Sequence, residues 1–378
     1  MADIFERRAL LRRAFDAAVA AADPTRMLDA HLPEPPSGDL IVIGAGKAAS
    51  AMARGVEARY RDGPAWSRLR GLVVTRYGHA GAGGARPERI EVMEASHPVP
   101  DAAGLEATTR ILALAERAGP DDVVLILVSG GGSALLTAPR GVDLEQKRAL
   151  TAVLLGSGAT IQEINVVRKH LSAVKGGRLA AVAHPARVFA YVVSDVVGDD
   201  FTAIASGPTV PDPSTYADAL GVLDRYGIDA PEAREHLRAG REGHVSETPK
   251  PGSAVFSQVE TRLVASNQRS LEAASEVLRQ GGFAPLILAS EITGEARVAG
   301  AMHAAVIGQI ARHEQPCKAP CAILSGGETT VTVRGEGGHG GRNSEFALGL
   351  ALGLPEDLLA GGYVYGLAAD TDGIDGSE

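Results

Sequence analysis

The chain has 378 residues, with 46 acidic side chains against 37 basic ones, a net charge of −9 and 45% hydrophobic residues. This length predicts two or three domains, and the composition can fill real cores. The acidic balance argues against a nucleic-acid binder.

Two cysteines, Cys317 and Cys321, have no Cys or His set beside them to complete a zinc site. A reduced, cytoplasmic protein is the simple expectation. No apolar run approaches the ~20 residues of a membrane span, so no membrane is expected as a partner. The 46 glycines cluster in loops, which suggests close approach of backbone to ligands.

Residues 3–22 read as an amphipathic helix with no signal-peptide core. Asp23 and Pro24 fit an N-cap and N1 pair that starts a short second helix. Residues 40–43 form a short apolar run, a buried strand. Gly44, Ala45 and Gly46 then turn the chain, and Lys47 is expected in the first turn of the next helix. An anion can bind at such a helix start, and Lys47 adds a full positive charge there.

The same run matches G-x-G-x-x-A, the dinucleotide fingerprint, which is weak by itself. The following strand, 71–75, ends in Thr75 and Arg76 with no ribose-binding acid. That argues against NAD and leaves NADP open. A Walker loop is excluded, because Ile41 stands where a glycine is needed.

A strand near 90–93 leads into Ser96-His97-Pro98, which places His97 at a strand end. A helix at 105–118 precedes an apolar central strand at 122–128. Ser129, Gly130, Gly131, Gly132 and Ser133 follow, and three glycines there suggest a backbone nest for an anion. A helix at 144–155 precedes an unusually polar stretch, 160–178, with Glu163, Asn165, Arg168, Lys169, His170 and Lys175. The strand 188–193 ends at Asp195, with Asp199 and Ser206 placed near the same rim.

Residues 214–240 read as helical and 247–252 as a linker. The α/β pattern then restarts with strands at 262–265 and 284–288 and a helix to residue 310 capped by Thr293. A strand at 321–324 ends in Ser325, Gly326, Gly327 and Glu328, an echo of the first serine–glycine loop. After a strand at 330–334 and a glycine-rich loop, Arg342, Asn343 and Glu345 open a helix. A last strand, 363–369, ends in Asp370-Thr371-Asp372-Gly373-Ile374-Asp375. Three aspartates in a glycine loop suit Mg²⁺ or Ca²⁺ with retained waters, or form an ordinary acidic turn.

Anion nests, two cations at helix starts and spare aspartates suit phosphoryl transfer. Protein-kinase motifs and a serine elbow are both missing.

Eight motifs together resemble the glycerate 2-kinase family: GAGKAA (44–49), SHPVPD (96–101), LVSGGGSAL (127–135), EINVVRKHLSAVKGG (163–177), SDVVGD (194–199), ASGPT (205–209), SGGE (325–328) and GGRNSE (340–345). Members of that family end in a MOFRL domain and are often named hydroxypyruvate reductases. The resemblance implies an α/β fold of two Rossmann-like lobes around an interdomain cleft. It implies a first domain at 1–247 and an incomplete MOFRL-type domain at 253–378, since relatives usually continue further.

The implied reaction is ATP- and Mg²⁺-dependent phosphorylation of D-glycerate to 2-phosphoglycerate. The resemblance makes Lys47 and Arg342 the critical cations. Asp195, at a strand end beside Gly198 and Asp199, is the best candidate for a proton acceptor or metal-linked carboxylate. Gly44, Gly46, His97, Ser129 to Ser133, Asn165, Arg168, Lys175, Ser206, Ser325 to Glu328 and Asn343 become binding residues. Asp195, Asp199, Asp370 and Asp372 are the candidate metal ligands. An NADP-dependent reductase of hydroxypyruvate is the alternative, and a non-catalytic binding remnant is a third reading. The sequence does not fix the oligomeric state, and a homodimer stays open.

Overall fold

The computed structural model describes residues 2–81, 84–194, 196–333, 338–371, 373, 375 and 376, and the expected site residues Asp195 and Asp372 lie outside them. The chain begins with helix α1 (Ala2–Ala21) and divides into two units. One is Pro24–Val264; the other joins Met1–Asp23 to Ala265–Glu378.

The first unit carries α2 (Pro24–Met27), β1 (Leu40–Ala45), α3 (Ala49–Tyr60), β2 (Leu69–Arg76), β3 (Ile90–Ala95), α4 (Ala102–Glu116), β4 (Val123–Val128) and α5 (Gly132–Leu135). It continues through α6 (Leu144–Gly156), α7 (Ile161–His170), α8 (Arg178–Ala183), β5 (Arg187–Val193), α9 (Tyr216–Arg225), α10 (Pro231–Arg241) and β6 (Val259–Ala265). The sheet order is β3-β2-β1-β4-β5-β6, and β1 to β5 pair in parallel.

β1 and β4 are buried at every residue, which explains their unbroken apolar runs. Ile41, Ile43, Val124 and Ile126 pack on one face of the sheet, against Ile111 of α4 and Leu179 of α8. Val42, Leu125 and Leu127 pack on the other, against Met52 and Val56 of α3. Side chains cap several helices: Asp101 accepts from the Gly104 N–H at 2.9 Å. Thr160 with Glu163, and Asp143 with Gln146, form capping boxes. Each such cap contributes ~1 kcal/mol.

The second unit adds α11 (Asn267–Gln280), β7 (Ala284–Glu295), α12 (Ala296–His313), β8 (Cys321–Thr330), α13 (Arg342–Gly353) and α14 (Glu356–Gly361). Leu10 and Ala14 of α1 pack with Leu271, Ala274 and Leu278 of α11 and with Leu324 of β8. No helix among the described residues is long and apolar enough to cross a membrane.

Three expectations are corrected. The division falls at 264/265 instead of 247–253, because β6 joins the first sheet and the expected linker is tied down. Within that segment Glu247 accepts from the Thr248 N–H and faces His170 Nε2 at 3.0 Å, and Lys250 donates to Thr248 Oγ1 at 2.8 Å. β7 runs on through Thr293, so Glu295 rather than Thr293 precedes α12. Neither 331–333 nor 363–370 pairs as a strand.

Candidate active site

In the first unit, the sheet order reverses between β1 and β4. Ligands of open α/β sheets bind at such a switch point, outside the carboxyl ends of the strands. Here the Gly44–Lys47 turn meets the Ser129–Ser133 loop. The Lys47 N–H donates to the Gly130 carbonyl at 2.8 Å, and the Ala48 N–H to Ser129 Oγ at 3.0 Å. The Gly46 N–H donates to the Val74 carbonyl at 3.0 Å. A Cβ on Gly46 would lie 2.1 Å from Ser129 Oγ, and one on Gly44 would lie 2.0 Å from the Leu127 carbonyl oxygen. These glycines therefore admit the neighbouring strand and loop. Lys47 sits half-buried in the turn, two residues ahead of α3 rather than in its first turn.

The triple glycine also has a packing role that its sequence hides. Gly131 has φ +80°, and a Cβ there would meet the His97 ring at 3.0 Å. A Cβ on Gly132 would lie 3.2 Å from both the Ala45 carbonyl oxygen and Ala205 Cβ. His97, the glycine loop and the 205–207 turn thus come together.

Beyond that loop a polar chain runs inward. Ser133 Oγ and Ser206 Oγ are 3.1 Å apart, and Ser206 Oγ donates to Asn165 Oδ1 at 3.1 Å. Lys175 Nζ donates to the Ser133 carbonyl at 2.8 Å, Ser133 Oγ at 3.3 Å and the Ala205 carbonyl at 3.4 Å. All three of its hydrogens are therefore used in holding two loops together. Ala205 (φ 49°), Ser206 (φ 60°) and Gly207 (φ +64°) form a left-handed run. The Ser206 and Gly207 carbonyls accept from the Gly176 and Gly177 N–H groups at 3.0 and 2.7 Å.

Lys147 of α6, absent from the expected set, belongs here. Its Nζ donates to Thr137 Oγ1 at 3.1 Å, and the residue is 7% exposed. Burial, and then repulsion from Arg168, push its pKa down to about 8. Burial, and then Lys147 and Arg168, hold Lys175 well below the usual lysine range. A lysine on an amphipathic helix gives no sequence sign of this, because solvated and buried lysines share the same spacing.

The polar stretch of α7 divides by task. Glu163 closes the capping box and is paired with Arg225. Lys169 meets the buried Asp212 at 3.3 Å, and His170 meets Glu247 at 3.0 Å. Only Asn165 and Arg168, one turn apart, are left to the site. Asp199 is half-buried with φ 50° in the turn after β5.

In the second unit, Ser325, Gly326, Gly327, Arg342, Asn343 and Asp370 all line one cavity of about 960 Å³. The second serine–glycine stretch is a correction: Ser325 to Glu328 lie inside β8, and Gly327 pairs with Ile292 of β7. A Cβ on Gly327 would lie 2.1 Å from the Ile292 carbonyl oxygen, so this glycine serves strand pairing, not an anion nest. Ser325 Oγ lies 2.9 Å from His303 Nε2.

Arg342 does start α13, after Gly341. Its anions come from its own unit. Nη1 donates to Glu328 Oε1 at 2.6 Å, while Nε and Nη2 donate to Asp370 Oδ2 at 3.0 and 2.8 Å. Burial lowers its pKa, but these hydrogen bonds outweigh burial and the net shift is upward. Asp375 seats its carboxylate on the α13 N-terminus, accepting from the Asn343 and Ser344 N–H groups at 2.9 Å each.

The expected metal set gains no support. Asp370 is held by Arg342, and no group of three His, Cys, Asp or Glu able to hold a metal occurs among the described residues.

Comparison with known proteins agrees with this architecture. The domain of unknown function DUF4147 matches residues 10–238, and the MOFRL family matches residues 321–378. A protein of Agrobacterium vitis, provisionally named a hydroxypyruvate reductase, is 50% identical over 98% of this chain and 81% of its own. The D-glycerate 2-kinase of Thermotoga maritima is 41% identical over 95% of this chain and 81% of its own. A crystal structure of glycerate kinase from Thermotoga maritima superposes with a TM-score of 0.81 at 39% identity, covering 93% of this chain and 81% of that one. The chain, which joins a DUF4147 region to a MOFRL region as its motifs imply, belongs to the glycerate 2-kinase family.

Proposed function

We propose that the protein is a glycerate 2-kinase, transferring the γ-phosphoryl group of ATP to the 2-hydroxyl of D-glycerate. The relatives carry two kinds of name, kinase and reductase, and one observation favours the kinase. The N–H groups of Gly46, Lys47 and Ala48 are already bound by Val74, Gly130 and Ser129. A dinucleotide fold needs this turn open for the pyrophosphate. With the turn closed by its own chain, the reductase reading loses its cofactor seat.

In the proposed reaction the 2-hydroxyl oxygen bonds to the γ-phosphorus, the bond to the bridging oxygen breaks, and ADP leaves. The hydroxyl proton passes to a carboxylate, for which Asp195 is the proposed acceptor. Lys47, at the switch point, offsets charge on the transferring group as a mobile point charge. No step is derived through Mg²⁺, because the described carboxylates do not assemble a site for it. The two free cysteines suit the reduced setting of a cytoplasm.

The test is to supply ATP with D-glycerate, and NADPH with hydroxypyruvate, and to measure ADP release and NADPH oxidation. ADP release dependent on glycerate is expected. NADPH oxidation without ADP release would replace this reading with the reductase.

A further inference from the structure

Lys147, Arg168 and Lys175 lie close together: Arg168 repels the charge on Lys147, and both disfavour a charge on Lys175. Among the described residues no carboxylate offsets any of them. Lys175 spends its hydrogens on Ser133 and Ala205. Lys147 spends one of three, on Thr137. Arg168 is half-buried and makes no hydrogen bond or ion pair among the described residues. Asn165, 6% exposed, uses its Oδ1 for Ser206, while its amide donors meet no acceptor among the described residues.

The inventory at this place is therefore donors in excess: two N–H of an ammonium, a whole guanidinium and an amide. Desolvated cations are costly unless an opposite charge joins them. A planar guanidinium fork matches the oxygens of a carboxylate or phosphate.

Resting on the kinase reading, we propose that Lys147, Arg168 and Asn165 form an oxyanion subsite, occupied in turnover by the carboxylate of the hydroxy-acid acceptor. The placement favours the acceptor over the nucleotide. The Ser129–Ser133 loop touches the Lys47 turn through Gly130 and touches the cation cluster through Ser133. The Lys47 backbone and Lys175 Nζ thus contact the same loop three residues apart, at Gly130 and Ser133. A short acid anchored at the cluster turns its hydroxyl end toward the loop, where phosphoryl transfer is proposed. A carboxylate there also makes the site selective: a polyol of the same size would leave these donors unpaired.

The experiment compares wild type with Lys147→Met, Arg168→Gln and the charge-keeping Lys147→Arg, each checked for folding by circular dichroism. Kinetics with D-glycerate and ATP should show the KM for glycerate raised about 10- to 100-fold in Lys147→Met and Arg168→Gln, the scale for losing one hydrogen bond to a charged group. The KM for ATP should stay within a few-fold, and Lys147→Arg should lie between wild type and Lys147→Met. An unchanged glycerate KM in both variants, or a rise confined to the ATP KM, would overturn the assignment.

A binding arm separates this from failure of the kinase reading. Millimolar D-glycerate should raise the wild-type melting temperature; glycerol, which lacks the carboxylate, should not; and Lys147→Met should lose the response. Inorganic phosphate identifies the other source: a shift with phosphate and none with glycerate rejects the carboxylate assignment. If wild type makes no ADP yet glycerate protects it through Lys147, the subsite stands and the kinase reading falls.

Discussion

Arg342 and Asp370 are joined through a single carboxylate oxygen: Nε at 3.0 Å and Nη2 at 2.8 Å both meet Oδ2. The remaining arm of the guanidinium reaches Glu328 at 2.6 Å. One planar group thus spans two carboxylates from β8 and the 363–370 segment. A lysine has the charge but cannot span both. Arg342→Lys is expected to keep only part of this bridge and to lose ~1–3 kcal/mol, the scale for hydrogen bonds to charged groups, with turnover falling wherever the bridge shapes the site. Turnover within a few-fold of wild type would make this arginine purely structural.

Lys47→Ala removes the cation at the switch point without touching the backbone hydrogen bonds that close the turn. Its expected loss is again ~10²-fold or more in kcat, with an unchanged melting temperature. A melting temperature lowered by several degrees would instead assign the side chain to stability.

Asp195→Asn tests the proposed proton acceptor. The expected loss is ~10²–10⁴-fold in kcat for a general base. Near-normal turnover would reject that role and turn attention to Asp370 and Asp372.

Lys147 links the site to pH. Its folded pKa, about 8, lies below the usual lysine value. A lowered lysine pKa means the unfolded chain binds more protons between pH 8 and ~10.4, so stability rises with pH across that window. Below pH 8 the buried charge carries its full cost, with Arg168 as the charge it faces. Lys147→Met, measured without ligand, should therefore gain ~1–3 kcal/mol at pH 7. That gain should fade by pH 10.5. Urea unfolding at both pH values checks it, and a variant less stable at pH 7 would contradict the electrostatic account.

Ala205 occupies the left-handed region at φ 49° with a Cβ, a conformation glycine takes at less cost. Ala205→Gly should hold or raise stability by up to ~1 kcal/mol, set against the lost contact of Ala205 with Gly132. Thermal unfolding reads the sign directly.

The sequence showed the switch-point strands, the glycine turn and the Arg342 helix start, because apolar runs and glycine punctuation are local signals. It concealed what depends on partners. Gly327 looked like a nest glycine, yet its space is taken by Ile292. Lys147 gave no sign at all, because solvated and buried lysines share one helical spacing. The 247–252 stretch looked like a free linker, and only the folded chain brings Glu247 to His170. The charge on Arg342 suggested a visiting anion, whereas Glu328 and Asp370, fourteen positions before and twenty-eight positions after it in the chain, already supply one.

The packing of α1 against α11 has a consequence for synthesis. α1 is translated before the surface that covers Leu10 and Ala14, which appears only after all of Pro24–Val264 has emerged. At ~5–20 residues per second, that interval lasts on the order of tens of seconds. For that time the nascent chain displays this helix with no mate for Leu10 and Ala14. Residues 2–21 are therefore where chaperones would engage this part of the chain.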